Sequence, residues 1–530
     1  MGNEAREGDE RAAQSPWPTT GRERALVVMV LLGLSLFSPY FRELYSANEH
    51  SRLLLTNAIV VDHSVIIDQA IKRLADSPDK SRRDGHYYSD KAPGVAFLAV
   101  PVVACYRWFA AAPSLEGEMR AARFIAATVP TALLLALLLS YLAERLHDVR
   151  VRLALGIGYG FGSLATTYGI LLFGHQLSSL LMFGTFLLAR RADERSRWRA
   201  LATGMCAASA IVTEYQNAVL LVPLGALFLW RARAKPLPVL CAMLGALPPT
   251  ALLLAYHQAA FGSPWHTGYV FLANDFAAVH SQGLLGIGTP TLANLWLSLF
   301  SAEKGLLFYS PFLALGVCGL AFARPRDRDL TLSLMMTASF VLFVSSMIYA
   351  EGGWTVSLRH LTPIVPWMLL PAGLLVERGA RGSVLLFPLL VGLVLASVFL
   401  TGLPTVVYPY LHDLANPVFQ LIVPAFLDGW LPPSALSPHL PSRPLVVVMA
   451  MLITLALGAL IVNGPSSRAR RALALAVALA IALLVPLLFS RVGHSQASFA
   501  DSARRQRDDL ERRYHGALDP LAHPRTARPP

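Results

Sequence analysis

Thirteen mostly apolar stretches follow one another along the chain of 530 residues, and they limit the available folds more than any other feature. A helix of about 20 apolar residues spans the hydrocarbon core of a bilayer. Only 15% of the residues are charged and the mean hydropathy is +0.50, so there is too little charge to cover a soluble enzyme of this size. We therefore predict an all-α polytopic membrane protein with about 13 transmembrane helices, within a range of about 11 to 14, rather than a soluble or a disordered chain. The predicted spans lie near residues 25–41, 122–143, 151–172, 175–190, 200–214, 217–231, 237–257, 304–322, 331–349, 361–377, 383–403, 444–463 and 471–490.

Basic residues between the apolar stretches indicate how the spans are oriented. The net charge is +12, and the basic residues cluster in alternate links, as the positive-inside rule expects, so the charge is not a sign of nucleic-acid binding. Among the later links, five hold only Arg359 and Arg443, and we predict that these five lie outside the cell: 173–175, 215–216, 258–303, 350–360 and 404–443. The links predicted to be cytoplasmic are 144–152, 189–199, 230–236, 323–329, 377–382 and 464–471.

Residues 93–112 are apolar enough to cross the membrane, but a crossing there would place the arginines of link 144–152 outside. We predict instead a re-entrant or interfacial helix, and Pro93 and Pro101 fit a broken segment. The alternative is that 151–172 and 175–190 form a single unusual hairpin. The four cysteines lie in apolar stretches and indicate neither a disulfide framework nor a zinc cluster. The predicted divisions are a polar tail 1–24, a transmembrane core 25–410 with the first external loop 42–121, a second part 411–490, and a charged tail 491–530.

The first external loop carries the most informative polar residues. Residues 42–92 of this loop hold eight basic residues, which favour an anionic partner such as a lipid phosphate, although the loop charges could also pair with one another. Glu49 lies just past the first span, where partial loss of water suits a general base, or where it pairs with Arg52 three positions later. Lys91 is a candidate phosphate ligand or a lysine that extends to the membrane surface, and Tyr88 lies beside it at a depth typical of aromatic anchors.

Further candidates lie in the later external links. Arg359 breaks the charge bias of these links, so we expect an anion beside it, and a phosphate or a carboxylate fits. His175 and Glu214 lie at ends of apolar runs, where each marks either a helix end or part of a site. The aromatic residues of the second long loop suit stacking on a sugar or anchoring in the interface. The remaining candidates in these links are Trp265, His266, Tyr269, Glu351, Trp354 and His360.

Several motifs together resemble bacterial membrane glycosyltransferases of the GT-C fold, which are relatives of protein O-mannosyltransferases and lipid A aminoarabinose transferases. The resemblance covers roughly residues 25–410. The motifs are Asn48-Glu49-His50-Ser51-Arg52, Tyr87-Tyr88-Ser89-Asp90-Lys91-Ala92-Pro93-Gly94, Phe261-Gly262-Ser263-Pro264, Lys304-Gly305-Leu306-Leu307-Phe308-Tyr309-Ser310-Pro311, and Gly352-Gly353-Trp354 with Arg359-His360-Leu361.

The resemblance implies an inverting transfer of a sugar from a polyprenyl-phosphate donor to an acceptor hydroxyl on the external face. It implies that Glu49 is the catalytic base, although the family often has Asp-Glu where this chain has Asn48-Glu49. It also implies that Lys91 and Arg359 bind the donor phosphate, and that helices of the first loop lie parallel to the membrane. The second acidic motif of some members is replaced by His175, so we expect no metal and no other cofactor. The residues expected to bind substrate are Arg52, Tyr88, His175, Trp265, His266, Tyr269, Glu351, Trp354 and His360.

The expected partners are the lipid-linked sugar, a glycan, lipid or protein acceptor, and the bilayer, without nucleic acid. The expected location is the inner membrane of a bacterium, with the site facing the periplasm or exterior. Two other functions remain open: a flippase or transporter of lipid-linked sugars, which predicts charged residues in mid-membrane, and a non-catalytic subunit of envelope assembly, which has no need of Glu49.

Overall fold

The structure is a computed structural model of the chain. It describes residue 18 and residues 20–39, 46–191, 196–232, 235–274, 276–322, 327–379, 383–411, 414–429, 431–436, 442–464 and 467–492. Residues 493–530 of the predicted tail 491–530 and most of the predicted tail 1–24 lie outside the described residues.

Helices make up almost all of the regular structure, which confirms the predicted all-α polytopic class. One antiparallel hairpin of strands Ser81–Arg83 and His86–Tyr88 lies in the first loop, with Arg82 opposite Tyr87. The α-helices are Gly21–Leu36, Ala47–Asn57, Asp68–Leu74, Gly94–Phe109, Leu115–Arg123, Val129–Ala143, Val149–Phe161, Leu164–Tyr168, His175–Ala189, Arg197–Thr213, Ala218–Arg231, Pro236–Phe261, Phe276–His280, Leu292–Leu299, Leu306–Tyr309, Ala314–Leu320, Arg328–Ser345, Val365–Gly379, Leu386–Ser397, Leu403–Val407, Val423–Leu427, Ser442–Val462 and Arg468–Ser490. Short π-helical turns are Ala58–Asp62, Phe124–Thr128, Val398–Gly402 and Val418–Ile422, and 3₁₀ turns are Tyr215–Asn217, Gly268–Phe271, Pro311–Leu313 and Arg359–Ile364.

Every predicted span contains a helix, but the helices differ in length. Among the described residues, seven helices are long and apolar enough to cross a bilayer by themselves. Several others, such as His175–Ala189, are shorter, and the total of about 13 spans stays a prediction. The long helices are Leu115–Ala143, Pro236–Phe261, Arg328–Ser345, Arg359–Gly379, Leu386–Val407, Arg443–Val462 and Arg468–Ser490.

Ion pairs gather the predicted cytoplasmic links at one end of the bundle. Arg145 bonds to Asp327 at 2.8 Å and to Asp329 at 2.6 Å, and Arg190 bonds to Glu144 at 2.7 Å. Helix Leu115–Ala143 ends beside Glu144, and Arg123, 21 residues earlier, lies about 32 Å away by the rise of an α-helix. That distance matches the thickness of a hydrocarbon core, so Arg123 marks the opposite end of the bundle.

Small residues let neighbouring spans approach closely. Gly204 of helix Arg197–Thr213 faces the backbone of Ala242, and Gly245 of helix Pro236–Phe261 faces the backbone of Leu201. A side chain at either glycine would collide with the facing carbonyl group. This reciprocal contact is typical of helix pairs in bilayers, where close backbone packing replaces the hydrophobic driving force.

Helix Gly94–Phe109 is the apolar segment that we predict not to cross. It packs against Ala47–Asn57 and Leu115–Arg123 of the same loop, and its Arg107 forms an ion pair with Glu118. Its first residue lies against Thr213, at the end of the bundle opposite the arginine-rich links. These contacts agree with a helix that stays at that end, and its position relative to the bilayer stays a prediction.

Candidate functional site

Lys91 lies between two carboxylates at the end of the strand hairpin. Its ammonium is 2.8 Å from Asp79 and 2.8 Å from Asp90. Burial favours the neutral amine, but the two carboxylates outweigh burial and raise the pKa of Lys91, so the side chain stays charged. Ser51 donates a hydrogen bond of 3.2 Å to Asp90, and this bond attaches the segment to helix Ala47–Asn57. Lys91 is therefore a fixed cation.

Arg52, on helix Ala47–Asn57, connects this loop to the end of another helix. Its guanidinium donates to Oε1 of Glu214 at 2.7 Å, to Oδ1 of Asn48 at 3.0 Å and to the carbonyl of Ala92 at 3.3 Å. Gly174 lies directly against the Glu214 carboxylate, and a Cβ at position 174 would overlap it. The alternative pairing of Arg52 with Glu49 is not observed, because Arg52 turns toward Glu214.

Arg359 and two histidines form the third part of the site. Arg359 lies over the ring of Phe173 at 5.3 Å, and the ring of His175 stacks on Phe173 with centroids 5.8 Å apart. The centroid of the His175 ring is 5.6 Å from that of His360. Within the part of the chain that the structure describes, Arg359 forms no ion pair. Both ring nitrogens of His175 and Nδ1 of His360 are buried without a hydrogen-bond partner there. Buried polar groups of this kind usually have partners, so these atoms indicate a binding site.

These three groups belong to one region. The charges of Arg359, Glu214 and Lys91 all act on the ring of His360. Burial raises the pKa of the Tyr269 phenol, and the neighbouring charge of Lys91 opposes that shift. The structure thus brings together six of the predicted site residues, with Glu214 added: Arg52, Lys91, His175, Tyr269, Arg359 and His360.

Glu49 lies in a different, closed network. It is completely buried, and its oxygens accept hydrogen bonds from Arg123 at 2.9 and 3.2 Å, from Tyr410 at 2.6 Å and from the amide of Leu172 at 2.6 Å. A general base needs an oxygen that the acceptor hydroxyl can reach. The role of Glu49 as base stays a prediction, and its surroundings favour a structural role.

The other predicted substrate residues differ in their burial. Tyr88 is buried against Phe261, with ring centroids 6.0 Å apart. Trp265 is 81% exposed and Trp354 is 54% exposed, and His266 and Glu351 are exposed as well. Their roles in substrate binding stay predictions.

Sequence reasoning gave too little weight to several residues of the site region. Asp79 and Asp90, which hold Lys91 in place, are not among the predicted site residues. The sequence leaves Glu214 open between a helix end and part of a site. Arg123 could have been identified from the sequence, because a charge at the start of a predicted span requires a partner.

Among the described residues, no three His, Cys, Asp or Glu side chains are grouped to hold a metal ion. The expectation of no metal stays a prediction.

The described residues define a polytopic helical membrane protein with a cluster of buried charged residues at one end of its bundle. Among solved structures, ArnT from Cupriavidus metallidurans in the apo state is similar, with a TM-score of 0.48 and 16% identity over 88% of this chain and 77% of that chain. The structure of the same protein bound to undecaprenyl phosphate is similar at a TM-score of 0.48 and 15% identity over the same shares. No family model matches the chain, and no curated protein matches it either.

Proposed function

We propose that this protein is an inverting glycosyltransferase that moves a sugar from a polyprenyl-phosphate donor to an acceptor hydroxyl. The observation that carries the proposal is the group formed by Arg359, Lys91 and the rings of His175 and His360. Both ring nitrogens of His175 and Nδ1 of His360 have no hydrogen-bond partner among the described residues. Two fixed cations beside unsatisfied ring nitrogens suit a phosphate, which brings negative charge and several hydrogen-bond acceptors.

Arg359 is the best-placed phosphate ligand. It lies over Phe173 and forms no ion pair with the described residues, so a phosphate would give its charge a partner. The planar guanidinium suits bidentate binding of phosphate oxygens, while the ammonium of Lys91 acts as a point charge. As the sugar–phosphate bond breaks, both cations stabilise the charge that grows on the leaving phosphate.

An apolar groove adjoining the Lys91 segment suits the lipid tail of the donor. The groove has a volume of about 470 Å³ and lies beside helix Pro236–Phe261. Tyr256, which lines it, donates a hydrogen bond of 3.3 Å to the carbonyl of Ser89, two residues before Lys91. The lining includes Ile59, Val65, Phe97, Leu252, Ala255 and Tyr256.

The test uses the full-length protein in lipid nanodiscs and two measurements. The first measures binding of undecaprenyl phosphate by native mass spectrometry in the wild type and in Arg359→Gln and Lys91→Gln. The second follows the release of undecaprenyl phosphate from a panel of undecaprenyl-phosphate-linked hexoses, hexosamines and pentoses. Lys72→Gln is the matched control, since Lys72 is an exposed lysine of the same loop.

We expect each of the two site variants to weaken undecaprenyl phosphate binding at least tenfold, and Lys72→Gln to bind as the wild type does. We also expect the wild type to consume at least one sugar of the panel. Equal binding by all four proteins would contradict the phosphate site. Movement of lipid-linked sugar across the bilayer without any cleavage would favour a flippase instead.

A further inference from the structure

The proposed transfer requires a base, and the four candidates are the predicted Glu49 and the carboxylates that bond to the buried cations Lys91 and Arg52. Glu49 is closed off by Arg123, Tyr410 and Leu172. Asp90 is 2% exposed, and its two oxygens are engaged by Lys91 and Ser51. Asp79 bonds directly to Lys91, which places it beside the leaving phosphate rather than beside the attacking group. The fourth carboxylate is Glu214.

We propose that Glu214, and not an acid of the first loop, is the general base that removes the proton from the acceptor hydroxyl. The inference rests on the proposed function. An inverting transfer requires the attacking oxygen to approach the anomeric carbon opposite the departing phosphate. Glu214 meets this requirement better than Asp79, because its cationic partner is Arg52 rather than either proposed phosphate ligand.

The surroundings of Glu214 leave one oxygen available. Arg52 engages Oε1, while Oε2 forms no hydrogen bond within the described part of the chain. The side chain is 13% exposed, in contrast to 0% for Glu49. Gly174 makes room for the carboxylate, so a larger residue at position 174 would displace it. The oxygen is therefore accessible and held in place.

The neighbours of Glu214 suit an acceptor sugar. The charge of Glu214 acts on the phenols of Tyr215 and Tyr269, whose rings lie edge to face with centroids 6.2 Å apart. Aromatic rings and a carboxylate are the groups that usually bind carbohydrate hydroxyls and ring faces. In the step itself, the acceptor oxygen forms a bond to the anomeric carbon while its proton moves to Oε2 of Glu214. The bond from the anomeric carbon to the phosphate oxygen breaks, and its electron pair stays on the phosphate.

The reaction with azide shows whether a residue acts as a base or only supports the structure. The azide ion attacks as an anion and has no proton to lose, so its reaction does not require a base. Water does require a base, and hydrolysis can be measured without the natural acceptor. The experiment measures the release of undecaprenyl phosphate, from the panel sugar that the wild type consumes, in buffer and in sodium azide. The variants are Glu214→Gln, Glu214→Asp and the control Glu116→Gln, a half-exposed carboxylate paired only with Arg120.

We expect Glu214→Gln to slow hydrolysis about 100-fold or more, the usual contribution of a general base, while azide-dependent release stays within about threefold of the wild type. Glu116→Gln should change neither rate. Loss of both reactions to the same extent by a folded Glu214→Gln protein would overturn the inference, and so would unchanged hydrolysis. If Glu214→Gln does not fold, Glu214→Asp decides: selective loss of hydrolysis supports the base, and an unchanged ratio of the two rates overturns it. In each of these outcomes the wild type is active, so only the inference about Glu214 fails. If the wild type consumes no sugar of the panel, the proposed function itself fails.

Discussion

Arg52 donates a hydrogen bond of 2.7 Å to Glu214, a residue 162 positions further along the chain. This ion pair connects the first loop to the end of helix Arg197–Thr213, and both side chains are largely buried. Buried pairs are sensitive to the loss of one partner, because the other charge is then left without compensation. The pair therefore positions the carboxylate and contributes to the packing of the loop on the bundle.

Arg52→Lys tests the geometry of this contact rather than its charge. Arginine reaches Glu214, Asn48 and Ala92 at once through its planar fork, and a lysine ammonium does not reproduce that geometry. We expect the free energy of unfolding to fall by about 1.5–3 kcal/mol, the typical contribution of a hydrogen bond to a charged group. Thermal unfolding in detergent measures the change, and Arg82→Lys in the exposed part of the loop is the control. Equal melting of the two variants would contradict the prediction.

Glu49→Gln tests whether the residue acts in structure or in chemistry. The substitution leaves Arg123 buried beside Tyr410 without its carboxylate, and breaking a buried ion pair typically costs about 3–5 kcal/mol. We expect the melting temperature to fall strongly, and the double variant Glu49→Gln, Arg123→Gln to recover part of the loss. A Glu49→Gln protein with wild-type melting but no hydrolysis, and with intact reaction with azide, would restore Glu49 as the base.

The helices were predictable because hydrophobicity is a local property, and each apolar run contains a helix. Which carboxylate pairs with which cation was not predictable in this way, since the pairing depends on contacts between distant residues. Glu49 forms an ion pair with Arg123, 74 residues away, and accepts a hydrogen bond from Tyr410, 361 residues away. The sequence points to Lys91 and Arg359 as candidate phosphate ligands, but hydropathy does not show that His175 and His360 lie in the same region. The pairing of charges is set by the packing of the helices, which no single stretch of sequence encodes.

Gly204→Ala tests the close contact between two spans. The added methyl group would meet the carbonyl of Ala242, and overpacking of this kind typically costs about 1–3 kcal/mol. Gly184→Ala is the matched control, because open space surrounds Gly184 in helix His175–Ala189. There the change should be neutral or should stabilise the helix by up to about 1 kcal/mol. Thermal unfolding of the two purified variants gives the comparison, and a larger loss in Gly184→Ala would contradict the proposed packing.

His50 makes the stability of the first loop depend on pH. Burial lowers the pKa of His50 below its ordinary value of 6.5, and its Nε2 lies 2.8 Å from the carbonyl of Ala75. The unfolded chain therefore binds a proton more readily than the folded protein does. Stability is complete above pH 6.5 and falls as pH drops toward the folded pKa, by about 1.4 kcal/mol per pH unit.

The variant His50→Gln keeps a donor for Ala75 but does not titrate. We expect it to lose less stability than the wild type between pH 7.5 and about pH 5. His147→Gln is the control, since the side chain of His147 is 92% exposed. Thermal unfolding across this pH range measures the effect, and identical pH profiles of the wild type and His50→Gln would contradict the assignment.

Ala255→Trp tests whether the apolar groove holds the lipid tail of the donor. Ala255 lines the groove beside Tyr256, so an indole ring at this position would occupy part of its volume of about 470 Å³. A long polyprenyl chain would then lose apolar contact, while a short donor that does not extend into the groove would be unaffected. We expect the KM for an undecaprenyl-phosphate sugar to rise about tenfold or more, and the KM for the same sugar on a ten-carbon citronellyl phosphate to stay unchanged. Ala251→Trp, one turn earlier on the same helix and outside the groove lining, should alter neither value. An equal rise for both donors would show that the substitution disturbs the phosphate site instead, and the groove would then have no part in binding the tail.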